Sequence, residues 1–185
     1  MAAMADAPIQ TVEVQVNRLL EILSAPELGD PAAVEKKKAT IRTISENLFD
    51  FNSLSRFTLG RDWSRLDEVH QAKFIALYRK LLESVYMDRL LKYKDEKVIF
   101  KKEITLSDNR AEVQTEILAA AGNIPMNYRL LLKNKSWRVY DVIIENVSLA
   151  QNYRSQFSDI LAKQSPDRLI DILQKKVDQQ GAAAR

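Results

Sequence analysis

Asp141 is the residue in this chain best placed to do chemistry, because it interrupts an otherwise apolar strand. In the segment WRVYDVIIENVSLAQNYRSQF, residues 137–157, simple alternation puts Asp141 on one strand face with Trp137, Val139 and Ile143. The other face carries Arg138, Tyr140, Val142 and Ile144. A carboxyl group walled by apolar side chains has its pKa raised and can serve as a general base, with Tyr140 or Tyr153 as its companion. The competing assignment is structural. Asp141 pairs with an arginine such as Arg154, or accepts backbone hydrogen bonds, and with Asn152 and Tyr153 forms a latch that holds the tail helix to the sheet. The latch is preferred, since no second acid, base or oxyanion donor accompanies Asp141, and the chain is read as a non-enzyme.

Other chemistries find little support. There is no cysteine, which removes disulfides, thiolate metal sites and cysteine nucleophiles. His70, the single histidine, lies near a helix start beside Glu68 and Gln71 and reads as solvent-facing. The glycines at 29, 60, 122 and 181 do not pair at phosphate-loop spacing, so nucleotide energy would have to come from a partner. No metal or cofactor is expected. The net charge of +3 is small and spread out, and the run Lys36, Lys37, Lys38 distributes around a helix as a solvated face, so no nucleic-acid partner is expected.

The elements that must position these residues divide into a helical half, a strand-rich stretch and a helical tail. Apolar residues at Val12, Val16, Leu19, Leu20 and Leu23 predict a helix over 12–23. Asp30-Pro31 caps a second, to about residue 48, and Gly60 can end a short one within 49–59. Asp67 caps a long helix to about residue 93, whose apolar stripe of Phe74, Leu77, Leu81 and Val85 is widened by Ile75, Tyr78, Leu82, Tyr86 and Leu90. From Lys97 the period becomes two, and turn residues at 107–109, 122–123 and 134–135 separate four strands of an antiparallel meander. Helices over 149–163 and 166–177 close the chain. The expected architecture is α+β: one curved antiparallel sheet of four or more strands with helices packed on its apolar face. The Ala-rich start, Met1 to Pro8, contains a small-x-small cleavage pattern without the charged and apolar regions that precede such a site. It reads as an exported protein whose signal has been removed. Residues 1–8 and 180–185 are expected to be disordered, and 9–179 to form a single domain.

Two motifs carry a family likeness. FDFNSLSRFTLGRDW, residues 49–63, followed by the long helix, resembles the MlaC family of periplasmic phospholipid-binding proteins, the toluene-tolerance auxiliary components. So does the 137–157 segment, through Trp137, Val139-Tyr140-Asp141-Val142, Val147-Ser148-Leu149 and Asn152-Tyr153-Arg154. Asn146 stands where a glycine is commoner. The resemblance implies a fold related to the nuclear-transport-factor-2-like cone around a hydrophobic pocket, with phospholipid as cargo. The wall it suggests is Phe51, Leu54, Phe57, Leu77, Leu81, Val85, Phe100, Met126, Tyr128, Leu130, Tyr140, Val142 and Ile144. It further implies a shuttle that docks to an outer-membrane lipoprotein complex and an inner-membrane ABC transporter complex. A hopanoid-associated relative, or a cone-shaped enzyme using Asp141, is the alternative.

Overall fold

The computed structural model describes residues 7–26, 30–93 and 95–183. Helices α1 (Pro8–Ser24), α2 (Pro31–Leu48), α3 (Phe51–Leu59) and α4 (Glu68–Leu90) come first, with a 3₁₀ turn, Gly60–Arg65, between α3 and α4. Strands β1 (Lys97–Ser107), β2 (Arg110–Ala119), β3 (Gly122–Lys133), β4 (Ser136–Ile144) and β5 (Val147–Ser148) follow, then α5 (Leu149–Lys163) and α6 (Pro166–Ala183). The class is α+β, and β5 extends the expected four strands to five. Among the described residues, no helix is long and apolar enough to cross a membrane.

Short polar residues set the helix starts. Asp30 accepts from the Ala32 N–H at 3.0 Å with Pro31 in the first turn, and Asp67 accepts from the His70 N–H at 2.8 Å. Helix α1 has no side-chain cap of its own kind; Glu103 on β1 accepts its Ile9 N–H at 2.9 Å. At its other end Lys37 Nζ donates to the carbonyls of Leu23 and Ala25, at 3.1 and 3.2 Å. Lys38 pairs with Glu35 at 2.9 Å, so the lysine run is used in part to join α1 to α2. Residues 1–6 and 184–185 of the expected disordered ends lie outside the described residues, while Pro8 already opens α1 and α6 continues to Ala183.

Contacts gather the chain into two compact units: the residues up to Asp50 with Tyr93–Leu149, and Phe51–Lys92 with the residues from Ala150 on. The first holds α1, α2 and the sheet, whose strands run in the order β1-β2-β3-β4-β5 with every pairing antiparallel. Asn134-Lys135 and Glu145-Asn146 make two-residue hairpin turns with positive φ at both central positions (51° and 62°, 49° and 66°), the geometry that matches strand twist. Asn146 therefore serves where glycine is the easier choice. Phe49 precedes α3 rather than opening it, and forms a parallel bridge to Val139 while the Asp50 N–H donates to the Val139 carbonyl at 2.9 Å. The second unit is helical: α4 lies along α6 and touches α3.

The register between β3 and β4 departs from plain alternation. Tyr128 pairs with Val142 and Arg129 with Asp141, but Leu130 then pairs with Val139, leaving Tyr140 as the extra residue of a bulge. The bulge returns Val139 and Trp137 to the face that holds Val142 and Ile144, and turns Tyr140 to the opposite one. The alternation read from the sequence, with Tyr140 beside Val142 and Trp137 and Val139 across from them, is corrected here. A one-residue insertion exchanges every side chain beyond it.

Candidate functional site

One face of the sheet is dry along its whole width. Val113 on β2, Tyr128 and Leu130 on β3, and Val139 and Val142 on β4 form a buried cluster with Val12 and Val16 of α1 and Leu48 of α2. Phe100, Met126, Trp137 and Ile144 pack against it, as do Val98, Ile9, Leu20 and Phe49. Cover is uneven. Leu130 and Val139 are wholly buried under α1, whereas Val98, Phe100, Ile117, Ile124, Met126 and Ile144, toward the other end of the face, are only half-buried. Six of the expected wall residues, Phe100, Met126, Tyr128, Leu130, Val142 and Ile144, thus share one surface. Sequence reasoning left out Val98, Ile117 and Ile124; alternation marked them, but nothing in it shows which end of a face stays uncovered. A separate open groove of about 640 Å³, lined by Asn17, Leu20, Glu21, Ser24 and Ala25 of α1 and its end, contains none of the expected wall residues.

The opposite face is polar. Glu112 Oε1 accepts from Asn127 Nδ2 at 3.1 Å and from Gln114 Nε2 at 3.2 Å, and Glu112 Oε2 lies 3.4 Å from Arg129 Nε. Arg129 Nη1 is 3.6 Å from Asp141 Oδ2, which accepts a 2.7 Å hydrogen bond from Ser148 Oγ on β5. Asp141 is fully buried, with charge compensation and a hydroxyl donor. Tyr140 belongs to this side, where the Arg110 guanidinium lies 5.7 Å from its ring centre and burial pushes its phenol up. The strand from Trp137 onward is therefore apolar on the face toward α1 and carries its charge on the opposite face. Within the sheet, the arginine that faces Asp141 is Arg129.

Arg154 has another task. From α5 it donates to the carbonyl of Thr58 at 3.1 Å and to that of Phe57, at the C-terminal end of α3, where a cation also suits the helix dipole. Its guanidinium lies 5.1 Å from the Phe57 ring centre. Gly60, at φ 56°, gives the left-handed end of α3; a Cβ there would stand in ordinary contact, 3.4 Å, with Arg154 Nε. Tyr153 stacks on Phe157 and meets Tyr78 edge-on, with ring centres 5.7 and 5.3 Å apart, and burial raises its pKa. Asn152 is exposed. In the same unit Leu54, Leu77 and Leu81 are buried, and Phe51, Phe57 and Val85 half-buried, with Arg79 over the Phe51 ring at 5.2 Å.

His70 is not simply solvent-facing. Its Nδ1 lies 2.7 Å from Asp67 Oδ1 and its Nε2 3.0 Å from Asp167 Oδ1, so it joins the starts of α4 and α6. The side chains at Asp167 and Asp67, in that order, raise its pKa. Among the described residues no group of three or more His, Cys, Asp or Glu side chains could hold a metal ion.

These features define an α+β protein on a curved antiparallel meander, with one apolar face left partly uncovered and one charged. The chain belongs to the MlaC family, whose family description, MlaC protein, matches residues 13–175. It is similar to the intermembrane phospholipid transport system binding protein MlaC of Haemophilus influenzae, with 28% identity over 126 residues, 65% of this chain. The match spans 59% of that relative's length. A phospholipid-binding protein from Ralstonia solanacearum, solved in complex with a phospholipid, has the same fold, with a TM-score of 0.81 over 97% of this chain and 99% of that one at 22% identity.

Proposed function

We propose that the protein binds a glycerophospholipid and carries it through the periplasm between an outer-membrane lipoprotein complex and an inner-membrane ABC transporter complex. The observation that carries this reading is the half-buried apolar end of the sheet face, where Val98, Phe100, Ile117, Ile124, Met126 and Ile144 remain available to acyl chains. Membership of the MlaC family and the phospholipid bound by the Ralstonia protein support it. Phe51, Phe57, Leu54, Leu77, Leu81 and Val85 are proposed as further lipid contacts.

The energetics suit a carrier rather than an enzyme. Two acyl chains bring about 30 methylenes at ~0.8 kcal/mol each. That gross gain of about 24 kcal/mol exceeds the practical ceiling on affinity of about 18–21 kcal/mol. Cargo therefore exchanges between bilayer and protein, where the difference in free energy is small, and no bond need break. Solvent extraction of the purified protein followed by mass spectrometry tests the reading. Near-stoichiometric phospholipid is the expected result; protein that is lipid-free as isolated, and that takes none from phospholipid vesicles, overturns it.

A further inference from the structure

Tyr128 places a polar group where the fold supplies almost nothing polar. It lies on β3 at the centre of the dry face, 6% exposed, paired with Val113 on β2 and Val142 on β4. Its hydroxyl donates to Met126 Sδ at 3.5 Å. A thioether is a weak acceptor, and among the described residues the Tyr128 hydroxyl has no other hydrogen bond. The nearby Met126 carbonyl takes the Thr115 hydroxyl at 2.6 Å. Burial alone drives the Tyr128 phenol upward, which marks surroundings without charge. Native interiors leave few buried donors so poorly matched, and where one persists it calls for a partner. For packing alone, phenylalanine would fill the same volume without the cost.

The direction of the hydroxyl is informative. It reaches back along β3 to Met126, which is half-buried and leads to Ile124, Ile117 and Ile144 at the uncovered end of the face. A group entering from that end meets one strong neutral donor in an otherwise apolar lining. An anionic phosphate or carboxylate is a poor match, because its charge would be left uncompensated. A neutral carbonyl oxygen accepts one hydrogen bond and otherwise tolerates a dry site.

We propose that the Tyr128 hydroxyl donates to an acyl-ester carbonyl of the bound lipid and makes the protein discriminate ester-linked from ether-linked chains. This inference rests on the reading of the apolar face as a lipid site and adds to it a specificity-determining residue. The test offers the full chain mixed vesicles containing equal amounts of a diester phosphatidylglycerol and its dialkyl-ether analogue of the same chain length. The protein is re-isolated and the ratio of extracted lipids measured. Wild type is expected to favour the ester by about 5–10-fold, the worth of one net hydrogen bond, and Tyr128→Phe to bring the ratio near one. The melting temperature of delipidated Tyr128→Phe should equal or exceed that of wild type, since the substitution removes a poorly matched donor. Equal uptake of the two lipids by wild type overturns the inference while leaving lipid binding intact, and does so without any variant. Retention of the wild-type ratio by Tyr128→Phe overturns it as well. Uptake of neither lipid by wild type overturns the lipid reading itself.

Discussion

Arg129 and Asp141 face each other across β3 and β4, Nη1 to Oδ2 at 3.6 Å, with the carboxylate fully buried and the guanidinium partly in solvent. The pair stands immediately beside the bulge at Tyr140, so it fixes the register at the point where the strands could slip. Ser148 ties the same carboxylate to β5. Removing Asp141 takes the 2.7 Å acceptor from the buried Ser148 hydroxyl and one of two carboxylates from Arg129, which keeps Glu112 at 3.4 Å. Asp141→Ala is therefore expected to cost about 2–3 kcal/mol, and Asp141→Asn about 1–2 kcal/mol, in urea unfolding. A loss below about 0.5 kcal/mol for both would place Asp141 among ordinary surface positions.

The end of α3 depends on a second relationship, between Gly60 and Arg154. Gly60→Ala forces a Cβ into the left-handed region and to within 3.4 Å of the guanidinium, at an expected cost of about 1–2 kcal/mol. Arg154→Lys keeps the charge but cannot hold two carbonyls with a planar fork, and should cost about 1 kcal/mol. Because the two residues share a contact, the double variant should lose less than the sum of the single losses. Strict additivity in chemical denaturation would show that Gly60 is needed for its backbone alone.

Local chemistry was legible in the sequence, and long-range register was not. Asp30-Pro31, Asp67, Gly60 and Asn134-Lys135 announce caps and turns through side chains and dihedral preferences that act within a few residues. The bulge has no such mark. Trp137 to Ile144 alternate without interruption in composition, and only pairing with β3 shows that Tyr140 is the extra residue. For the same reason Asp141 could be read as buried, while nothing in the sequence points to Arg129, twelve residues earlier on another strand, as a neighbour of its carboxylate. Of the candidate wall, Tyr128, Val142 and Ile144 share one sheet face and Tyr140 lies on the other, and periodicity is silent on which end of the shared face α1 covers.

His70 gives the second unit a pH-dependent tie. With a carboxylate oxygen at each ring nitrogen, a neutral imidazole can donate to only one of them, so the contact pair Asp67–His70–Asp167 favours the imidazolium. Its pKa lies above the ordinary 6.5 in the folded protein. The stabilising contribution is complete below about pH 6.5 and is lost as pH rises through the folded-state value. Wild type should therefore lose melting temperature relative to His70→Gln between about pH 6 and about pH 9. Thermal scans in which the two proteins keep a constant difference over that range would remove the tie.

Charge placed on the dry face separates lining from core. Val142 is 3% exposed and sits in the cluster under α1, so Val142→Lys buries an unpaired charge and should unfold the sheet unit. Ile144 lies two residues on, on the same face, but is half-buried at the uncovered end. A lysine there can extend its ammonium to solvent and should cost no more than about 1–2 kcal/mol. If acyl chains occupy that end of the face, the same ammonium stands in their path, and lipid recovery should fall at least tenfold. Ile144→Lys is thus expected to fold, by circular dichroism and a cooperative melt, yet yield little phospholipid on extraction. Full lipid recovery from folded Ile144→Lys would move the cargo away from this end of the sheet.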